Sequence, residues 1–412
     1  MPRRLIRRQR RQNRNKSIIM RDFKYYTPTE VVFGKDSEEA LLGLLGKYGA
    51  HKVLIHYGGG SAMRSGLIPG IEEKLSSAGI PYIELGGVVP NPHLSLVYEG
   101  IELCKKEGVD FILAVGGGSV IDSSKGIAYG LAYDGDVWDF FDGKATPGGS
   151  VPVGVVLTIP ASGSEMSDSC VLTNTERGQK RGCNSDFCRP RFAIMNPERT
   201  YSLPSFQTAC GVTDIMMHTM ERYFSSDEGM DITDALAEGL VRTVRVDGEA
   251  LLKEPNNYEL RANIMWAGSL AHNGLTGCGA AADFGTHRLE HELSTMYNVA
   301  HGAGLAAMWC HWAKYVLDVN PARFARFAEK VMDVEPAGNA RETALKGIAA
   351  MHDFYKRIGM PTSIPELIGR KATEEEMSTM AERCSRGKTI TVGNFKVLGY
   401  REMLEVYRLA NA

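Results

Sequence analysis

Two apolar runs, each ending in three glycines and a serine, constrain the fold of this chain more than any other feature. Val53-Leu54-Ile55-His56-Tyr57 leads into Gly58-Gly59-Gly60-Ser61, and Asp110-Phe111-Ile112-Leu113-Ala114-Val115 leads into Gly116-Gly117-Gly118-Ser119. A strand that is apolar along its length has both faces covered, and a Gly-rich turn that delivers it into a helix is the unit of a parallel sheet. Ile80-Pro81-Tyr82-Ile83, before a turn-rich segment over residues 86–92, and the run 151–159, ending at Pro160, read as further strands. Intervals of about 30 residues are those of βαβ units.

Past Leu203-Pro204 the pattern changes to amphipathic periods of 3.6 with little proline, over residues 209–223, 231–252, 258–273, 301–317, 321–331 and 341–358. Such periods predict helices. The chain therefore reads as an α/β nucleotide-binding domain with a Rossmann-like parallel sheet over residues 20–203, followed by an all-α domain over residues 204–412. The cleft between them is the expected ligand site. At 412 residues, each domain is long enough to bury its own core.

Composition narrows the class. Hydrophobic content of 43%, charged content of 23% and a net charge of -2 are those of a soluble globular protein, and no apolar run approaches the ~18 to 20 residues of a membrane span. The eight cysteines form no CxxC pair, which fits reduced thiols in a cytoplasmic protein. Residues 1–19 hold eight basic and no acidic side chains, so the remainder carries -10. This basic arm lacks the apolar centre of a secretory signal. Because the globular pattern starts at once after Met20, it reads as a disordered extension or an over-long start, with a tail for nucleic acid or an anionic surface as the alternative. For the core, neither nucleic acid nor membrane is an expected partner.

Glycines at a strand end leave no Cβ in the way of a phosphate approaching the amides of the next helix. Gly116-Gly117-Gly118-Ser119, with Asp122 a turn later, is suited to this, although neither run is a GxGxxG fingerprint. An NAD site places a carboxylate against the adenosine ribose. Here the strand end holds Tyr57-Gly58-Gly59-Gly60-Ser61 with Arg64 nearby, which offers room, donors and a cation, and favours NADP(H). The stretch Thr158-Ile159-Pro160-Ala161-Ser162-Gly163-Ser164-Glu165 adds hydroxyls at another strand-to-loop transition.

Asp214 and His218 stand four apart in a helical period, which puts both on one face about 5 to 6 Å apart at Cβ. Of ten histidines, His287, His291 and His301 fall within fifteen residues. His287 and His291 share a helical face, and His301 precedes Gly302-Ala303-Gly304, where a new helix begins. One carboxylate with imidazoles suits a borderline divalent ion, Fe(II) or Zn(II), with a position left for substrate. Spacing leaves open whether His287 or His291 is the ligand.

These residues resemble the iron-containing (group III) alcohol dehydrogenase family, and within it the NADPH-dependent butanol dehydrogenases and broad aldehyde reductases. The likeness runs from Phe23 to the end, through Thr27-Pro28-Thr29-Glu30-Val31-Val32-Phe33-Gly34-Lys35, the two glycine runs, residues 158–165, Asn196-Pro197-Glu198 and the histidine segments. It implies a dehydroquinate synthase-like architecture, a homodimer, and a metal held by Asp214, His218, His287 and His301, with His291 left beside the metal as a catalytic proton relay of near-neutral pKa. It also implies that Gly58, Gly59, Gly60, Ser61, Asn91, Gly117, Gly118, Ser119, Asp122, Thr158 and Lys180 face the cofactor. NAD-preferring members carry an aspartate where Gly58 stands here. The basic arm lies outside the family's usual start. The expected activity is hydride transfer between NADP(H) and a primary alcohol/aldehyde pair such as butanol and butanal; the alternatives are a polyol dehydrogenase or, further off, a dehydroquinate synthase-like lyase.

Overall fold

The computed structural model describes residues 20–412, and the basic arm lies outside the described residues. Numbered along the chain, β1 (Glu30–Phe33), β2 (Val53–Gly58), β3 (Tyr82–Val88), β4 (Phe111–Gly116), β5 (Val153–Leu157) and β8 (Phe192–Met195) form one parallel sheet in the order β1-β8-β5-β4-β2-β3. β4 and β5 are buried at every residue, as strands covered on both faces must be. Their residues alternate between two cores: Ile112, Ala114 and Val155 pack on one face, and Phe111, Leu113 and Val156 on the other.

From β2 the chain moves outward to β3, and from β4 it moves the opposite way to β5. The order therefore reverses between β2 and β4. Both glycine runs sit at the carboxyl ends of these two strands, where open α/β sheets bind their ligands. The run 116–118 is also demanded by packing, since a Cβ on Gly116 would lie 2.5 Å from Val120 and one on Gly117 would lie 2.9 Å from Ile159.

His56 is fully buried inside β2. Its Nδ1 donates to the Leu85 carbonyl at 2.7 Å and its Nε2 accepts from Ser123 Oγ at 2.8 Å, so it ties two strands to the helix Gly118–Leu131. Burial pushes its pKa down to about 4 from 6.5. The unfolded chain therefore binds a proton that the folded chain refuses between those values, and stability falls as pH drops through the window, by roughly 3 kcal/mol in full. A His56→Gln variant is expected to lose less stability than the native chain between pH 7 and 4.5 in paired thermal melts; equal losses would rule this account out.

Two elements depart from the sequence reading. β6 (Ser169–Asn174) and β7 (Gln179–Asn184) form an antiparallel hairpin apart from the main sheet, where no strand was expected. The second half is mostly helical and not wholly so, because residues 385–399 run irregularly and are closed by an isolated bridge between Val392 and Leu398. Its helices include Ser205–Tyr223, Asp231–Lys253, Tyr258–His272, Gly285–Tyr297, His301–Val316, Pro321–Lys330 and Ala340–Arg357. Among the described residues, no helix is long and apolar enough to cross a membrane.

One contact fixes how these helices meet. A Cβ on Gly302 would lie 2.2 Å from the Cys210 carbonyl oxygen and 2.7 Å from its Cα. Helices Ser205–Tyr223 and His301–Val316 thus touch main chain to main chain, at a separation only glycine permits.

Candidate active site

Helix Ser205–Tyr223 is buried continuously from Thr208 onward and carries Asp214 and His218 one turn apart. Helix Gly285–Tyr297 brings His287 to them, and His301 opens the helix that Gly302 seats against Cys210. Asp214 Oδ1 lies 3.0 Å from His218 Nδ1, 3.7 Å from His287 Nε2 and 3.7 Å from His301 Nε2. Three imidazoles from three helices thus converge on one carboxylate oxygen. Asp214 Oδ1 and His287 Nε2 are buried without a hydrogen-bond partner, an arrangement that is costly unless a further group binds between them. One carboxylate and three imidazoles are a donor set for Fe(II) or Zn(II), so these residues fit a divalent ion.

Two buried carboxylates that the sequence reading missed hold the histidines from behind. Glu221 Oε1 accepts from His287 Nδ1 at 3.1 Å and from the His287 amide at 2.9 Å. Glu290 accepts from His301 Nδ1 and from Ser294 Oγ. In both cases the partner on Nδ1 leaves Nε2 to face Asp214. The signal was present as spacing: Glu221 follows His218 by three residues and Glu290 follows His287 by three, so each shares a helical face with a ligand.

Charge state follows from this packing. Burial opposes ionisation of Asp214, yet the neighbouring imidazoles of His218, His301 and His287 hold its carboxyl well below the usual range. Burial pushes His218 down despite Asp214. Burial also disfavours charged His287, but the neighbouring carboxylates of Asp214 and Glu221 outweigh it and raise the pKa to about 9.

His291 sits one turn beyond His287, with its ring centroid 5.7 Å from that of His301 and its Nδ1 buried and unpartnered. The expectation of a near-neutral pKa is corrected: burial, then Lys180 and His301, hold the imidazole well below 6.5. It is a neutral hydrogen-bonding group. Lys180 is far away in sequence, which is why spacing gave no sign of this. His272 was missed as well; buried, with Nδ1 unpartnered, its ring lies tilted against that of His218, 4.1 Å between centroids.

The residues expected to face a cofactor gather at the carboxyl ends of the strands. Gly58, Gly59, Gly60 and Ser61 close β2; Asn91 follows β3 in a left-handed conformation (φ 57°); Gly117, Gly118 and Ser119 start the helix after β4; Thr158 follows β5. No side chain caps helix Gly118–Leu131, so its N-terminal amides stay available to an anion. Lys180 reaches over from β7, donating to Asn91 Oδ1 at 2.9 Å and lying 3.8 Å from Glu290. Asp122 is placed differently. Its carboxylate accepts from Ser164 Oγ at 2.6 Å and the Val171 amide at 3.0 Å, so both oxygens are used within the protein. Beside it the buried ammonium of Lys125 donates to the carbonyls of Ser164, Ser167 and Ser169 at 2.7 to 3.0 Å, and together they pin the loop that follows Thr158.

The chain is similar to known proteins over nearly its whole length. The sequence model for iron-containing alcohol dehydrogenase matches residues 28–197, and that for the C-terminal part of the Fe-containing alcohol dehydrogenase family matches residues 208–411. The chain is similar to a probable NADH-dependent butanol dehydrogenase 1 of Bacillus subtilis (strain 168), at 40% identity over 94% of this chain and 99% of that one. It is also similar to the NADPH-dependent aldehyde reductase YqhD of Escherichia coli (strain K12), at 36% identity over 88% of this chain and 96% of that one. The crystal structure of an NADH-dependent butanol dehydrogenase A from Thermotoga maritima superposes with a TM-score of 0.91 at 37% identity, covering 95% and 99% of the two chains.

Proposed function

The chain belongs to the iron-containing alcohol dehydrogenase family, and from that premise we propose that it reduces a small aldehyde to the primary alcohol with NADPH, butanal being a representative substrate. Alcohol and aldehyde oxidoreduction comes with the family; the cofactor preference and substrate are our reading. The observation that carries it is the convergence of His218, His287 and His301 on Asp214 Oδ1, with a glycine-lined strand end at the reversal point of the sheet.

In this reading Asp214, His218, His287 and His301 hold one divalent metal. The metal supplies Lewis acidity toward a carbonyl oxygen and the nicotinamide supplies the hydride. The protein does the rest. Glu221 and Glu290 keep Nδ1 of His287 and His301 occupied so that Nε2 is presented. His291, held neutral, would act as a relay, one ring nitrogen passing its proton toward the product oxygen as the other takes one from water, so that the ring ends neutral. Gly58, Gly59, Gly60 and Ser61, with Gly117, Gly118 and Ser119, seat the phosphates, while Asn91, Thr158 and Lys180 frame the nicotinamide side and Asp122 positions the adjoining loop.

NADPH is favoured over NADH because Gly58 puts no carboxylate at the ribose and the Arg64 guanidinium lies over the Gly60 turn, 3.2 Å from where a Cβ would be. The native enzyme should oxidise NADPH with butanal at a higher kcat/KM than NADH. Gly58→Asp should reverse the ratio by about tenfold or more, the equivalent of one charge-to-hydroxyl interaction. A native preference for NADH would refute the cofactor reading, and turnover of dihydroxyacetone without butanal would favour a polyol dehydrogenase.

A further inference from the structure

Beside His291 opens a cavity of about 600 Å³, walled by β7 and the turn before it, by helix Gly285–Tyr297 and by residues 382–393. Six cationic side chains line it: Arg177, Lys180, Arg181, Arg288, Arg383 and Arg386. Only three carboxylates share the wall, Asp283, Glu292 and Glu382, and Asp283 is committed to the amides of Gly285, Asn394 and Phe395. Arg177 and Arg181 pair with Asp142, and Lys180 with Asn91. Arg288, Arg383 and Arg386 complete the wall as solvent-exposed side chains, and Arg383 favours the charged form of the buried Glu292.

Six cations against three carboxylates give this concave space a net positive potential, which favours an anion. A planar guanidinium with forked donors matches a carboxylate in particular. The anion is not a cofactor phosphate, because no residue of either glycine turn, 58–61 or 116–119, lines this cavity. His291 does line it. A substrate whose reacting carbon lies at His291 therefore extends its other end among the arginines.

We propose that the preferred substrate is an aldehyde bearing a carboxylate at the end remote from the carbonyl, selected by Arg288, Arg383 and Arg386; this rests on reading the site as an aldehyde reductase. The reaction is R-CHO plus NAD(P)H plus H⁺ giving R-CH₂OH plus NAD(P)⁺, with the carboxylate unchanged. The test compares butanal with 4-oxobutanoate, its analogue carrying a terminal carboxylate, on the metal-loaded enzyme. The anionic aldehyde should have at least a tenfold higher kcat/KM, expressed mainly in KM and shrinking as salt rises. Arg288→Gln and Arg386→Gln should each cut the ratio of the two kcat/KM values several-fold, and butanedioate should compete with butanal far better than butanamide does. Folding of the variants is checked by their melts. Reduction of butanal with no advantage for 4-oxobutanoate, or a ratio unmoved in both variants, overturns the proposal and leaves the reductase reading standing. Turnover of neither aldehyde overturns the reductase reading and the proposal with it.

Discussion

Purified His287→Ala protein is expected to carry less than about a tenth of the metal bound by the native chain and to lose roughly 10³-fold or more in kcat/KM, since a Lewis-acidic ion contributes several kcal/mol to carbonyl reduction. His291→Ala is expected to behave in the opposite sense on one axis: metal per chain unchanged, kcat lower by roughly 10² to 10⁴, as for loss of a general acid. The contrast is the informative part. His287 Nε2 lies 3.7 Å from Asp214 Oδ1, whereas His291 is grouped with Glu290 and His301 and not with Asp214. Metal analysis of the two proteins after anaerobic purification decides the matter. Retention of metal by His287→Ala together with its loss from His291→Ala would show the ligand assignment to be wrong.

Glu290→Ala carries the second large expectation, a fall of roughly 10- to 100-fold in metal affinity measured by chelator competition. Glu290 touches no other group of the Asp214 cluster than His301, so its effect has to pass through that ring. Glu290→Gln keeps a carbonyl oxygen for His301 Nδ1 and should recover most of the affinity, which loss of packing alone would not predict. Replacing the native ion with cobalt gives a visible spectrum that reports ligand geometry, and the alanine variant should shift it while the glutamine variant should not. An alanine variant with native affinity, or a glutamine variant as weak as alanine, would remove Glu290 from the site's support.

Much of this architecture was legible because its signals are local. The apolar runs that end in glycine located β2 and β4, and periods of 3.6 located the helices from Ser205–Tyr223 to Ala340–Arg357, generally within a few residues at either end. The hairpin β6 and β7 escaped because its second strand, Gln-Lys-Arg-Gly-Cys-Asn, is polar and pairs with its neighbour on the far side of a four-residue turn. β1 and β8, of four residues each, are too short to show a period. At the site, Asp214 and the histidines announced themselves by spacing. The choice between His287 and His291 could not be made that way, since it depends on Glu221, which lies 66 positions away from His287. The charge of the cavity was equally invisible, because Arg288, Arg383 and Arg386 meet only after folding.

The main-chain contact of Gly302 with Cys210 has a consequence for how such an enzyme can change. Ligand positions on the two helices are set by a backbone-to-backbone stop, so exchanging surrounding side chains does not retune the distance between Asp214 and His301. The arginines of the cavity stand on the hairpin, on helices Gly285–Tyr297 and Glu374–Cys384, and in the irregular stretch after Cys384. Substrate choice and the reacting centre are therefore separately mutable, and a lineage or a designer can rewrite the first while inheriting the second intact.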